Sequence, residues 1–395
     1  MTTYPKPAME RAMKIQEVIM RVYNKKLLWV EAAEILGISP RSMRRWKRRY
    51  ELYHYDGLFD RRTQRPSPKR VPVAVVQEVL RLKTELYHDC NVRHFHEKLG
   101  QEHGIGLSYE WVKKALQMAG VVSKRKRRSV HRQRRERRPL RGMLIFCDGS
   151  THRWLPEPAM DQQDLIAFID DATSEVYEAY LVQEEGTLTV LEGLKPLIER
   201  EGLFCSFYTD RAGHFFHTPK AGQAVDKSQL TQIGRALAQL GIEHIPSYSP
   251  QARGRMERFF GSWQARLPQE LRLAGVQSLE QANRYIREVF MPWHNTHRTV
   301  AAKQVGTAFV AAGGVDLEGI LNLQAERVVA ADNTVAFGRM QLQLAPVTWR
   351  CSFAKCRVKV CEHLDGRLSV RLGPRVLGWY SAEGEPIPEA NQRAA

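Results

Sequence analysis

Two apolar runs of strand length, 143-MLIFCDGS-150 and 203-LFCSFYTDRAGHF-215, each run into an aspartate, Asp148 and Asp210. An acid at the last residue of a buried strand emerges at the carboxyl edge of the sheet, where α/β sheets carry their ligands. A third acid comes from 247-SYSPQARGRMERFFGSWQARL-267, which opens with a turn signal at Ser249-Pro250 and then reads as one helix. Met256, Phe259, Phe260, Trp263 and Leu267 recur on one apolar face. Glu257 falls roughly 90° from the centre of that face, at its edge. Arg255, Arg258, Ser262 and Arg266 lie round the back. Taken alone, Glu257 reads as a solvated residue pairing with a nearby arginine. Beside two strand-end aspartates it becomes the third of three carboxylates that can converge. Hard oxygen ligands of this kind suit Mg²⁺ or Mn²⁺. Two such ions about 3.5–4 Å apart activate an attacking oxygen and steady a leaving one in phosphoryl transfer. Arg253, Arg255 and Arg258, close to the acid, suit a polyanion.

The charge is placed unevenly. Residues 1–142 hold 34 Lys+Arg against 14 Asp+Glu, while residues 143–395 hold 26 against 29. Basic surface of that density usually meets phosphate. The first third therefore reads as the anchoring part and the near-neutral remainder as the chemical part. No apolar run reaches the length of a membrane span, and the first residues lack the apolar core of a signal peptide. Six cysteines (90, 147, 205, 351, 356, 361) form no CxxC pair and no disulfide framework. Reduced thiols fit that spacing better than a zinc site.

In chain order, residues 9–23 read as a first helix, and 29-WVEAAEILGISPRSMRRWKRRYELY-53 carries a helix-turn-helix signal. Trp29, Ala32, Ala33 and Leu36 make an apolar face, Gly37 the turn, and Ser39-Pro40 an N-cap with proline at N1. In the next helix Met43, Trp46 and Tyr50 point inward. Arg41, Arg44, Arg45, Lys47 and Arg48 stay outside, placed to read guanine edges or phosphates in a major groove. The alternative is a basic solvated helix. The linker 61-RRTQRPSPKR-70 offers Arg61, Arg62 and Arg65 to a minor groove or a backbone. A second three-helix unit is expected over about 72–88, 92–103 and 108–119, with Ser108 as cap and Lys113 and Lys114 on a modest basic face. The segment 124-KRKRRSVHRQRRERRPLR-141 packs eleven Lys+Arg into eighteen residues, among them Lys124, Arg125, Lys126, Arg127, Arg128, Arg134 and Arg135. Like-charge repulsion predicts an extended or disordered arm that binds phosphate without sequence preference.

The core is expected over about 142–302. After the Asp148 strand, 164–172 and 174–182 read as a hairpin whose turn acids, Asp170 and Asp171, serve local geometry. Helices at 187–200 and 228–240, a short strand at 242–246 and a closing helix at 278–296 complete the order β-β-β-α-β-α-β-α. His214 sits near Asp210, where local satisfaction is the expected role. From about 325 the pattern turns to short strands broken by Asp365-Gly366 and Gly373-Pro374, which predicts a small β-barrel.

Around these acids the chain resembles the DDE transposases and retroviral-type integrases. The run SPQARGRMER followed by QxRLxxELRLAG, within 229–275, is most similar to the ISNCY group of insertion-sequence transposases. The resemblance implies Asp148, Asp210 and Glu257 as a catalytic triad holding two Mg²⁺ or Mn²⁺ ions. It departs in having 46 residues between Asp210 and Glu257, and in a shifted Asp210-Arg-Ala-Gly213. The fold it implies is multidomain and mostly α/β. Helix-turn-helix units occupy 1–63 and 72–123, a basic linker 124–141, an RNase H-like core 142–302 and a C-terminal small β-barrel 325–385. The implied function is transposition: binding terminal inverted repeats, then metal-dependent DNA cleavage and strand transfer, as a dimer or larger assembly on double-stranded DNA. The setting is the cytoplasm of a bacterial-type cell, at the nucleoid. A DNA-binding regulator with an inactive core and an RNase H-like nuclease are the competing readings.

Overall fold

The computed structural model describes residues 6–59, 70–124, 135–155, 162–218, 224–226, 228–248 and 250–388. The chain divides into two compact units, residues 1–82 and 83–395. In the first, α1 (Lys6–Tyr23), α2 (Trp29–Ile35) and α3 (Pro40–Tyr53) enclose a core of Ala12, Ile15, Ile19, Ala32, Ala33, Met43 and Phe59. The helix-turn-helix signal is realised residue by residue. Gly37 takes φ +63°, which only glycine adopts without strain. Ser39 Oγ then accepts the amide of Ser42 at 3.2 Å to cap α3. Helix α4 (Val73–Glu85) runs across the division of the chain.

The second unit begins with α5 (Val92–Gln101) and α6 (Tyr109–Met118), capped by Asn91 and by the expected Ser108. Its central sheet has the order β3-β2-β1-β4-β5, built from β1 (Ile145–His152), β2 (Gln163–Asp170), β3 (Val176–Val182), β4 (Ser206–Thr209) and β5 (Glu243–Pro246). Pairing is antiparallel from β1 to β2 and β2 to β3, and parallel from β1 to β4 and β4 to β5. Helices α7 (Thr187–Glu201) and α8 (Gln232–Gln239) alternate with the later strands in the expected sequence order. The strands alternate between two cores. Leu144, Phe146, Leu165, Ala167 and Ile169 face one way, while Ile145, Cys147, Ile166 and Phe168 face α7 and α8.

The first of these faces is covered by α9 (Pro250–Gln264), α10 (Leu267–Leu273), α11 (Leu279–Tyr285) and α12 (Met291–Arg298), the last two joined through a π turn. The single helix expected over 247–267 is therefore two. Continuing α9 would require Pro268 to donate to the carbonyl of Gln264, which a residue without an N–H cannot do. The chain breaks after Gln264, and Leu267, though fully buried, belongs to α10.

The last 66 described residues, 323–388, follow the short helix α13 (Leu317–Ile320). Strands β6 (Leu323–Val328), β9 (Arg357–Glu362), β10 (Leu368–Leu372), β11 (Arg375–Tyr380) and β12 (Pro386–Ile387) form an open sheet, order β12-β11-β10-β9-β6. A separate hairpin of β7 (Thr334–Phe337) and β8 (Met340–Gln343) packs Val335 and Leu342 into the same core. The expected barrel is not closed by hydrogen bonds among the described residues. Two layers share one core instead, and β12, too short to read from the sequence, lies at one edge.

Helices α5 and α10 are joined by buried charge. Glu270, on α10, lies 3.0 Å from both His94 Nε2 and Lys98 Nζ of α5 and accepts from Arg266 Nη2 at 3.1 Å. Arg266, expected on the solvated back of a helix, is buried; it reaches Glu97 at 2.5 Å and lies 3.7 Å from the centre of the Trp293 ring. Although burial alone would raise the Glu270 carboxyl, His94 and Lys98 hold it down at about 2. A second titrating group is buried nearby: His294 accepts from Trp263 Nε1 at 3.1 Å, and burial lowers its ring to about 4.

Removing one partner from a buried ionic cluster typically costs about 3–5 kcal/mol. Glu270→Gln is accordingly expected to lower the unfolding free energy of the full chain by about 3 kcal/mol, read as a lower urea midpoint. Because the Glu270 carboxyl is depressed, its contribution is complete above pH 4.5 and lost as pH falls towards 2. His294 acts at higher pH. The unfolded chain takes up that proton near 6.5 and the folded chain only near 4, so stability falls as pH drops through this window. Melting temperatures of His294→Gln should be flatter than wild type between pH 6.5 and 4; an unchanged slope there would reject the assignment.

Candidate active site

Strand β1 pairs with β4 at only two positions, Ile145 with Phe207 and Phe146 with Tyr208. Extending that register by two residues sets Asp148 beside Asp210, on adjacent parallel strands that have begun to part. Both share the parity of Phe146 and Tyr208, whose rings meet edge to face at 5.2 Å on the α9 side of the sheet. The two half-buried acids thus stand on one face of the sheet. Asp148 is not the last residue of its strand, since β1 continues to His152. What puts it at an edge is the early end of β4, whose ladder with β1 stops at Phe146. Asp210 follows the last residue of β4 as expected, and its carboxylate accepts the amide of Ala212 at 2.8 Å.

The burial of Cys147 raises its thiol well above the ordinary range, and the negative charges of Glu185, Asp148 and Asp210 add to that effect. Glu185 is the acid that the sequence reading did not single out. It packs so closely on Gly149 that a Cβ there would lie 2.1 Å from its Oε2, and its Oε1 is 3.3 Å from His214 Nε2. Nothing in 183-QEEG-186 distinguishes it from a helix-leading turn. His214 Nε2 lies beside Glu185 without making a hydrogen bond, and its ring is 4.2 Å from that of Phe215, so the expected local satisfaction is not complete.

Glu257 is exposed on α9 and is not drawn into the pair. The anchors of α9 show why. At its start Arg255 donates to the carbonyl of Asp171 at 3.0 Å and to the Asp171 carboxylate. Asp171 itself donates to the carbonyl of Leu144, which leads into β1. At the other end Gln264 donates to Ser150 Oγ at 3.0 Å. Glu257 is two residues, about 3 Å of helix, past the first anchor. Asp148 is four residues, about 13 Å of strand, past Leu144. Among the described residues no group of three or more His, Cys, Asp or Glu side chains is close enough to hold a metal ion. The carboxylate oxygens that Asp148, Asp210 and Glu257 offer fit a hard divalent cation by their chemistry.

Of the expected nucleic-acid contacts, Arg41, Arg44, Arg45 and Arg48 are exposed on α3, while Lys47 lies half-buried, 5.0 Å from the centre of the Trp29 ring. Lys114, Lys124 and Arg258 are exposed, and Lys113 lies 3.4 Å from Glu110. Arg61, Arg62, Arg65, Arg125, Lys126, Arg127, Arg128 and Arg134, and the side chain of Arg253, lie outside the described residues. Two others have partners within the protein. Arg255 and Arg135 both reach the fully buried carboxylate of Asp171. The described end of the basic arm is not extended in solvent. Arg137 donates to the carbonyls of Asp171 and Ala172 and to Ser174 Oγ, and Arg141 to Glu175 and Glu201. Local carboxylates and carbonyls offset the repulsion that charge density alone predicts. Asp170 is the turn acid expected, accepting from the amides of Gly142 and Thr173 at 2.9 and 2.8 Å.

A helix-turn-helix domain family matches residues 16–67. The putative transposase y4bF of Sinorhizobium fredii (strain NBRC 101917 / NGR234) is 31% identical over 373 residues, covering 92% of this chain and 79% of its own. The transposase for insertion sequence IS1202 of Streptococcus pneumoniae is 26% identical over 305 residues, covering 68% of this chain and 64% of its own. Among solved structures, the HTLV-2 integrase catalytic core domain in complex with magnesium overlaps 42% of this chain and 93% of its own at 15% identity and a TM-score of 0.30, too slight to establish a shared fold. No helix among the described residues is long and apolar enough to cross a membrane. Identity of 31% over 92% of this chain and 79% of the relative shows that the protein belongs to the transposases.

Proposed function

We propose that this transposase binds the terminal inverted repeats of its element and catalyses cleavage and strand transfer of DNA, as a dimer or larger assembly that holds two ends. The observation that supports this reading is the parallel pairing of β1 with β4, whose register, continued two residues beyond its last pair, brings Asp148 level with Asp210. The strand order, two parallel strands beside three antiparallel ones, agrees with an RNase H-like core. In this reading Asp148, Asp210 and Glu257 hold two Mg²⁺ or Mn²⁺ ions. When bound, such ions lower the pKa of a water or hydroxyl and neutralise charge on the phosphoryl group. The protein's own residues then bind and orient. The exposed arginines of α3 place a DNA end, the basic arm contacts phosphates beside the sheet, and Arg258 on α9 lies one residue from Glu257 to meet the scissile strand. Residues 72–123 are read as a further DNA-contacting unit, and the C-terminal sheet with its hairpin as a small barrel-like module for DNA contact or assembly.

Asp148→Asn, Asp210→Asn and Glu257→Gln should each abolish cleavage and joining of an end-sequence substrate. End-DNA affinity should stay within about threefold of wild type, because the exposed α3 arginines are untouched. Strand transfer by any one variant at the wild-type rate would remove that residue from the triad, and nicking without joining in the wild type would favour a nuclease.

Base readout and phosphate contact are separable on α3. Replacing Arg41, Arg44 and Arg45 together by Ala in the full chain should reduce the ratio of end-DNA to random-DNA affinity, with about 1–3 kcal/mol lost for each base contact removed. Equal weakening on both DNAs in a binding titration would make α3 a phosphate clamp and place sequence readout elsewhere.

A further inference from the structure

Asp171 does more than shape the turn after β2. Its carboxylate is fully buried, yet no residue of its own hairpin satisfies it. It accepts from Arg135 and from the amide of Arg138, at 2.6 Å, on the basic arm, and from Arg255 on α9, 84 residues away. Arg255 also donates to the carbonyl of Arg135 at 3.0 Å, so arm and helix are tied to each other as well as to the acid. The guanidinium of Arg135 lies 5.6 Å from the centre of the Phe146 ring, on the sheet face that carries Asp148 two residues later. Burial, joined by repulsion from Arg135 and Arg137, lowers the Arg255 guanidinium below its ordinary range, although Asp171 opposes the shift. Two guanidinium groups, those of Arg135 and Arg255, thus share the carboxylate of Asp171.

We infer that Asp171 is a positioning residue for the reaction: through Arg255 it fixes the first turns of α9, and so the starting position of Glu257, while Arg135 links that anchor to the DNA-binding arm. The inference rests on the proposed role of Glu257. Glu257 is two residues beyond Arg255, and it has to approach Asp148 and Asp210 to complete the set of three acids. Any such approach turns about the Asp171–Arg255 contact. A DNA phosphate beside the arm competes for Arg135, leaving Arg255 as the one guanidinium on Asp171. Coulombic attraction between the remaining pair is then undivided, and α9 stays anchored at the residue nearest its acid.

The test uses the full chain bound to end DNA, with Asp171→Asn, Arg255→Gln, Arg255→Lys and Arg135→Gln. Single-turnover cleavage is expected to fall about 10- to 100-fold in Asp171→Asn and Arg255→Gln, the scale of a misplaced catalytic group. In the same two variants Mn²⁺ binding, followed by the loss of its free-ion electron paramagnetic resonance signal, should weaken about tenfold. End-DNA affinity should not fall. Arg255→Lys should recover part of both effects, and Arg135→Gln should leave Mn²⁺ binding on DNA as in wild type. A purely structural role gives a different result: melting temperature and active fraction fall together while Mn²⁺ affinity per folded molecule stays the same, and that result would overturn the inference. If Asp171→Asn does not fold, Arg255→Gln alone decides. Glu257→Gln, run in parallel, keeps the two ideas apart. Full activity there would sink the triad reading itself, whereas an inactive Glu257→Gln beside unaltered Asp171→Asn and Arg255→Gln proteins would sink only the anchor.

Discussion

Strand β1 pairs with β2 along all eight of its residues and with β4 along only two. That imbalance is the constraint on which the site depends. Full pairing with β2 holds β1 straight through Asp148, with side chains alternating strictly between two buried faces. Early parting from β4 ends their ladder two residues before the level of Asp148 and Asp210. A longer β4 would carry that ladder past the acids, and a shorter β2 would leave Asp148 on a free-swinging end. The glycine that follows, Gly149, has Glu185 packed where a side chain would stand, so the far face of the same strand is filled at the level of the acids.

The contacts that set long-range geometry in the second unit are charged. Glu270 joins α5 to α10, Asp171 joins the basic arm to α9, and Arg141 joins the arm to β3 and α7 through Glu175 and Glu201. Glu270, Asp171 and Glu201 each meet two or more cationic groups, and Glu175 meets Arg141. Buried ionic clusters contribute little net stability against an apolar alternative, because desolvation opposes the Coulombic gain. Their effect is to define position, since a guanidinium fork accepts few arrangements. A chain with 60 Lys+Arg has cations to satisfy wherever elements meet, and its acids are placed at those junctions.

The elements were legible in the sequence where one physical rule dominates. Apolar runs of strand length located β1 to β3, the Ser39-Pro40 and Ser108 caps located α3 and α6, and the turn at Ser249-Pro250 located the start of α9. The break at Gln264 was also written in the chain, as Pro268 four residues on, but the apolar period continues through Leu267 and outweighed it. Partnership across long separations was not legible. Arg266 looks solvated on a helical wheel, yet Glu97 and Trp293 lie far from it in sequence and together bury it. Asp171 reads as a turn residue because its partners, Arg135 and Arg255, are 36 and 84 residues away. Composition gives the density of charge in the arm but not which charges the core already engages.

That last distinction changes what the arm contributes to binding. Among the described residues of the arm, the side chains of Arg135, Arg137 and Arg141 are held by the core. Counterion release scales with the phosphates neutralised, at about 0.9 each in the salt exponent. A cation in water binds phosphate by exchanging counterions alone, whereas each of these three must first leave a protein carboxylate or carbonyl. In the proposed coupling, a phosphate that wins Arg135 from Asp171 alters the hold on α9. The end of the arm that meets the turn after β2 is, in that reading, a coupling element.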